Sequence, residues 1–165
     1  MKPTNQKLGG YVKRFILLFW VLLLVGCSAR VVKFEQYSVA MNLKVEADSS
    51  VIIGDDEKFF GVMWLTPILE AENVQVEKIK VIQNYGKYFV CANNFTHLWM
   101  VEPKSDGLSG AYKAIDVTPK DKTDAYSDVG LSRYGSREKA CVKFRFNKQE
   151  VFIDRKGKVN EKCSK

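Results

Sequence analysis

The stretch Lys87 to Val101 constrains the fold of this chain more than any other, because its residues are apolar on both faces of an extended backbone. Successive side chains of a strand point to opposite faces, and here Phe89, Phe95 and Trp99 stand against Tyr88, Val90, Leu98 and Met100. A hairpin of that kind lies between two layers or against a partner, and burial between layers is the expectation. Asn93-Asn94 falls in its middle. Asparagine tolerates positive φ, so the pair predicts a two-residue type I′ turn joining Lys87–Ala92 to Phe95–Val101.

Other segments carry the same signature. Tyr37, Val39, Met41, Leu43 and Val45 alternate with Ser38, Ala40, Asn42, Lys44 and Glu46, the period of a strand with one buried face. Ser50–Ile53 and Lys58–Leu65 flank the acidic cluster Gly54-Asp55-Asp56-Glu57 and read as a hairpin, ended by Pro67. Ile68 to Asn73 suits a short helical turn. Val74 to Gln83 is β-branched but changes face between Val74/Val76 and Ile79/Val81, which predicts a bulge near Glu77-Lys78. Cys141–Phe146, a turn at Asn147-Lys148-Gln149 and Glu150–Asp154 form a closing hairpin, followed by a turn at Arg155-Lys156-Gly157.

Residues 102–139 break the pattern. The stretch is polar and glycine-containing, with Tyr112, Tyr126 and Tyr134 set among Ser, Gly and Asp. Loops of that length are functional or disordered, and Tyr with Ser and Gly is the composition of adaptable recognition surfaces, so these three tyrosines are the candidates for partner binding. The fold class expected is mostly β, an antiparallel sheet or β-sandwich with one long polar loop and little helix; α+β is the alternative.

The first residues are of another kind. Lys2, Lys7, Lys13 and Arg14 precede the uncharged run Phe15 to Val25, then Gly26 and Cys27. That is the layout of a signal peptide. A spanning helix needs about 20 apolar residues, more than the stretch from Phe15 to Ala29 supplies. Leu24-Val25-Gly26-Cys27 resembles the signal of bacterial lipoproteins. The resemblance implies removal of residues 1–26, acylation of Cys27, a tether over 27–36 and a single domain over 37–165 anchored in the bilayer. Ser28 after the cysteine goes, within that family, with export to the outer membrane of Gram-negative cells, the domain facing the periplasm.

Removing the leader changes the arithmetic. The formal charge of +7 counts 26 basic and 19 acidic residues. Four of the basic ones lie in the leader, so 22 against 19 leave +3. A mildly basic exported domain gives no footprint for nucleic acid. With Cys27 assigned to lipid, Cys91, Cys141 and Cys163 remain in a compartment that permits disulfides. Pairing Cys141 with Cys163 would staple the polar tail to the last hairpin and leave Cys91 as a buried thiol; pairing Cys91 with Cys141 is the rival.

Chemistry-bearing residues are sparse. His97 is the only histidine, and it shares a strand face with Phe95, Trp99 and Val101, which reads as a packed residue. No metal site, cofactor or catalytic residue is expected. Asp55, Asp56, Glu57, Glu70 and Glu72 are the acids that a carboxylate-dependent hydrolase would draw on. The function expected is a non-catalytic binding or assembly module of the envelope, an accessory of secretion, conjugation, pilus or exclusion systems that engages an envelope protein. A carrier of an apolar ligand is the alternative, with a cavity behind Trp64 and Trp99, and the hydrolase comes third.

Overall fold

A computed structural model describes residues 39–54, 59–103, 110–118, 124–136 and 140–163, with Phe59 and Phe60 described in backbone only. Among these residues are eleven strands and one helix: β1 (Met41–Lys44), β2 (Ser50–Gly54), β3 (Phe59–Trp64), α1 (Thr66–Glu72), β4 (Lys78–Asn84), β5 (Lys87–Cys91), β6 (Leu98–Pro103), β7 (Gly110–Ile115), β8 (Gly130–Tyr134), β9 (Cys141–Phe146), β10 (Gln149–Ile153) and β11 (Val159–Asn160). The fold is mostly β, and every strand pair is antiparallel.

Three layers account for the doubly apolar hairpin. A central sheet of order β1-β4-β5-β6-β7 lies between the β2–β3 ribbon with α1 and a second sheet of order β11-β10-β9-β8. Pairing puts Val81, Val90 and Trp99 in one row and Ile82, Phe89 and Met100 in the next, hence on opposite faces. On the first face the Trp99 indole donates to Glu72 of α1, and the hydroxyl of Tyr112, in register with Val101, donates to the Trp64 carbonyl. Val51, Met63, Leu65 and Ile68 are buried in this covering layer. On the second face Asn84 donates to the Ala140 carbonyl at 3.0 Å, and Gly157 of the β10–β11 turn packs so closely that a Cβ there would meet Ile115 and Met100 at 3.3 and 3.4 Å. Leu131, Val142, Phe144, Phe146 and Ile153 complete the core from this side. Each large apolar side chain buried this way contributes about 1.5–3 kcal/mol.

Two tight turns with positive φ at both central residues set the registers of their hairpins, Tyr85-Gly86 (52° and 73°) and Asn147-Lys148 (47° and 65°). Their closing pairs are Asn84 with Lys87 and Phe146 with Gln149, so the last hairpin turns on two residues, one fewer than expected. This is type I′ geometry, which matches the right-handed twist of the flanking strands.

Asn93-Asn94 turns the chain between Ala92 and Phe95, whose N–H donates to the Ala92 carbonyl at 3.4 Å, but not with type I′ geometry. β5 stops at Cys91 and β6 begins only at Leu98, and of the two asparagines only Asn94 has positive φ. The groups that would have continued the ladder are bonded elsewhere: Asn94 N–H donates to the Tyr126 carbonyl, Tyr126 N–H to the Phe95 carbonyl, and the Thr96 and His97 N–H groups to Glu72. The expected bulge is also corrected. β4 starts at Lys78, and the Glu77 carbonyl accepts Val45 N–H, so the change of face after Val76 marks the start of the strand.

Residues 102–139, expected as an excursion without regular structure, supply β7 and β8. Both escaped notice because they are edge strands that bury little: in β7 only Ile115 is buried, and in β8 only Leu131. An edge strand that buries a single side chain leaves no apolar alternation to read. The hairpin of β2 and β3 forms as expected, with its acidic residues Asp55, Asp56 and Glu57 outside the described residues.

Candidate functional site

The densest polar constellation is built on the C-terminal residue of α1. Ile68 and Glu72 are four apart, hence on one face of the helix, and both are buried. The helix ends there because Asn73 takes the left-handed conformation (φ 52°, ψ 41°), its N–H donating to the Glu70 carbonyl. Glu72 therefore directs a carboxylate inward, at the end of the helix where the dipole disfavours negative charge.

Five donors compensate. Oε2 accepts the Thr96 N–H at 2.6 Å and the Thr96 hydroxyl at 2.8 Å. Oε1 accepts the Trp99 indole N–H at 2.7 Å, the His97 Nδ1–H at 2.9 Å and the His97 backbone N–H at 3.1 Å. Burial works against ionisation of this carboxyl, but the bonds from Thr96, Trp99 and His97 together outweigh it and hold Glu72 below the usual glutamate range. An ionised carboxylate can only accept, so the ring proton facing it belongs to Nδ1. The other ring nitrogen, Nε2, lies 3.2 Å from Oδ1 of Asp116, which follows β7.

The cluster thus joins α1, the β5–β6 loop and the end of β7 through Glu72, His97 and Asp116. Chemically it is an anchor. A carboxylate has about four lone-pair sites, and those of Glu72 are taken by five donors from the protein itself. His97 is not the packed strand residue expected from its spacing: it precedes β6, is about a third exposed, and meets the Trp99 ring edge-on at 6.1 Å. The spacing of Ile68 and Glu72 was a readable sign of an inward-facing acid. Its donors lie 24 to 27 residues away in sequence, with no local signal linking them. Glu70, one of the other acids considered, is exposed beside a groove lined by Ser49, Thr66 and Asn73. Among the described residues no group of three or more His, Cys, Asp and Glu is arranged to hold a metal ion.

The three tyrosines expected to bind a partner part company. Tyr126 is 1% exposed, with its ring 5.3 Å from Phe144 and 4.9 Å from Phe146, so it belongs to the core and cannot be a recognition residue. Burial and the charges of Glu72 and Asp116 push its phenol up. Tyr112 is half-buried, bonded to the Trp64 carbonyl at 2.7 Å, and raised in pKa by burial. Only Tyr134 stays open, packed on Phe152 at 5.0 Å with half its surface exposed.

Cys141 and Cys163 are joined in a disulfide, with Cα atoms 5.9 Å apart. Cys91 is a free thiol buried in β5, and burial drives its pKa far up, so it holds its proton. Cys27 lies outside the described residues. No known protein family, curated protein or solved structure matches this chain.

Proposed function

We propose that this chain is an envelope lipoprotein, held at the bilayer by acylated Cys27, whose β domain is a non-catalytic binding or assembly module. The observation that carries the reading is the order of residues before the domain: a basic leader, the apolar run Phe15 to Val25, and Leu24-Val25-Gly26-Cys27. The Cys141–Cys163 disulfide supports it, since such bonds persist in oxidising compartments. Among the described residues no helix is long and apolar enough to cross a membrane. Among the described residues the one buried carboxylate, Glu72, is occupied in joining three elements of the fold.

Lipid chains on Cys27 confine the domain near the bilayer and raise its effective concentration toward an envelope protein partner. In a Gram-negative cell the location proposed is the outer membrane, facing the periplasm. Mass spectrometry of the mature N-terminus and membrane fractionation test the anchor. The expected result is an acylated Cys27 in the wild type and loss of both processing and membrane association in Cys27→Ser. A Cys27→Ser protein that is processed and membrane-bound like the wild type would overturn the reading.

A further inference from the structure

The described domain begins at Val39, and that end of the molecule carries most of its exposed apolar side chains. β1 runs antiparallel to β4 with Met41 opposite Val81, so the chain before it heads toward the Tyr85-Gly86 turn that follows β4. The same turn is tied to the second sheet: Asn84 donates to the Ala140 carbonyl, and Ala140 N–H donates to the Tyr85 hydroxyl at 3.1 Å. Ala140 adjoins Cys141, which is in register with Tyr134 and bonded to Cys163. Val39, Met41, Tyr85 and Tyr134 are thereby gathered at one end, exposed by 72, 37, 38 and 53%. Arg133 and Lys162, beside Tyr134 and Cys163, are exposed there too.

Tyrosine rings with one wet edge suit the headgroup level of a bilayer. Each cation near an anionic surface adds about 1 kcal/mol of attraction. With the anchor at Cys27, the tether enters the domain at this end. Eleven residues, Ser28 to Ser38, separate Cys27 from Val39, and at about 3.6 Å per step such a segment spans at most about 40 Å. The exposed apolar residues Ile52 and Trp64 lie instead on the β2–β3 ribbon.

We propose that this end, with Val39, Met41, Tyr85 and Tyr134, rests on the bilayer interface. The inference rests on acylation of Cys27. Its test uses the full-length protein, processed in cells, purified in detergent and reconstituted into phosphatidylethanolamine/phosphatidylglycerol vesicles with or without acyl-chain-brominated lipid. Wild type and Tyr134→Trp are compared, the wild-type domain supplying Trp64 and Trp99 as internal reference. Brominated lipid is expected to remove the emission added by Tyr134→Trp. Added emission that survives bromination in protein whose Cys27 carries acyl chains overturns the docking and leaves the anchor standing. An unmodified Cys27 overturns both. A dimer in detergent that Tyr85→Ser/Tyr134→Ser dissolves would assign the surface to a second copy and overturn the bilayer as occupant.

Discussion

Glu72 shows how one residue can hold three elements together. Its carboxylate is buried without a lysine or arginine among its bonded partners, and its charge is met by dipoles from Thr96 and Trp99 and by His97. Glu72→Gln keeps the volume but turns an amide toward backbone and indole N–H groups that can only donate, and is expected to cost about 2 kcal/mol in urea denaturation. The pH dependence has a definite sign. The folded carboxyl sits below its ordinary value of 4.5, so its contribution is fully present above that value and is lost as pH falls through the folded one. Denaturation repeated across the acid range should show that Glu72→Gln lacks this component; an unchanged acid limb would sink the assignment. The four-residue spacing of Ile68 and Glu72 was the one local sign in the sequence that this acid could face inward. It gave no sign of the donors, which only the return of the chain at β6 delivers.

At the scale of elements, turns were legible where their chemistry was local. Asn147-Lys148 turns the β9–β10 hairpin with both residues at positive φ, and the Asn147 side chain also accepts the Ser127 N–H at 2.7 Å. Lys148, a residue with a Cβ, is held in the left-handed region at φ 65°. Lys148→Gly should therefore stabilise the protein by about 1 kcal/mol, seen as a higher urea midpoint at constant slope. The β10–β11 turn is held by Asp154, whose Oδ1 accepts the Lys156 and Lys158 N–H groups at 2.8 and 2.9 Å. Beyond it the disulfide closes a separation of 22 residues. Removing it as Cys141→Ser/Cys163→Ser is expected to cost about 3 kcal/mol in the chain-entropy account; a midpoint unchanged from the oxidised wild type would show that the tail needs no staple. Asn93-Asn94 does turn the chain, the Phe95 N–H donating to the Ala92 carbonyl at 3.4 Å, but with positive φ at Asn94 alone it is not a type I′ turn, and Tyr126 and Glu72 take the backbone groups that would have continued the ladder beyond it.

The whole molecule is organised by its central sheet, filled on both faces by the protein's own layers. Phe89, fully buried in the middle strand, faces the second sheet, and Phe89→Ala should lower stability by about 3–5 kcal/mol, measured by thermal or urea unfolding. A loss below 1 kcal/mol would mean that the layer beneath it is not packed as described. Sequence by itself determined the mostly β fold class, the doubly apolar hairpin, the final hairpin and the basic and apolar run that precedes Cys27, because periodicity, turn residues and composition act over a few neighbouring residues. Two cysteine pairings were compatible with it. Only the tertiary structure decided that Cys141 meets Cys163, that Tyr126 lies inside while Tyr134 lies outside, that β7 and β8 are strands at all, and that Glu72 finds its donors across the fold. Those outcomes depend on which surfaces the layers cover, and edge strands and buried polar contacts take their meaning from residues distant in the chain.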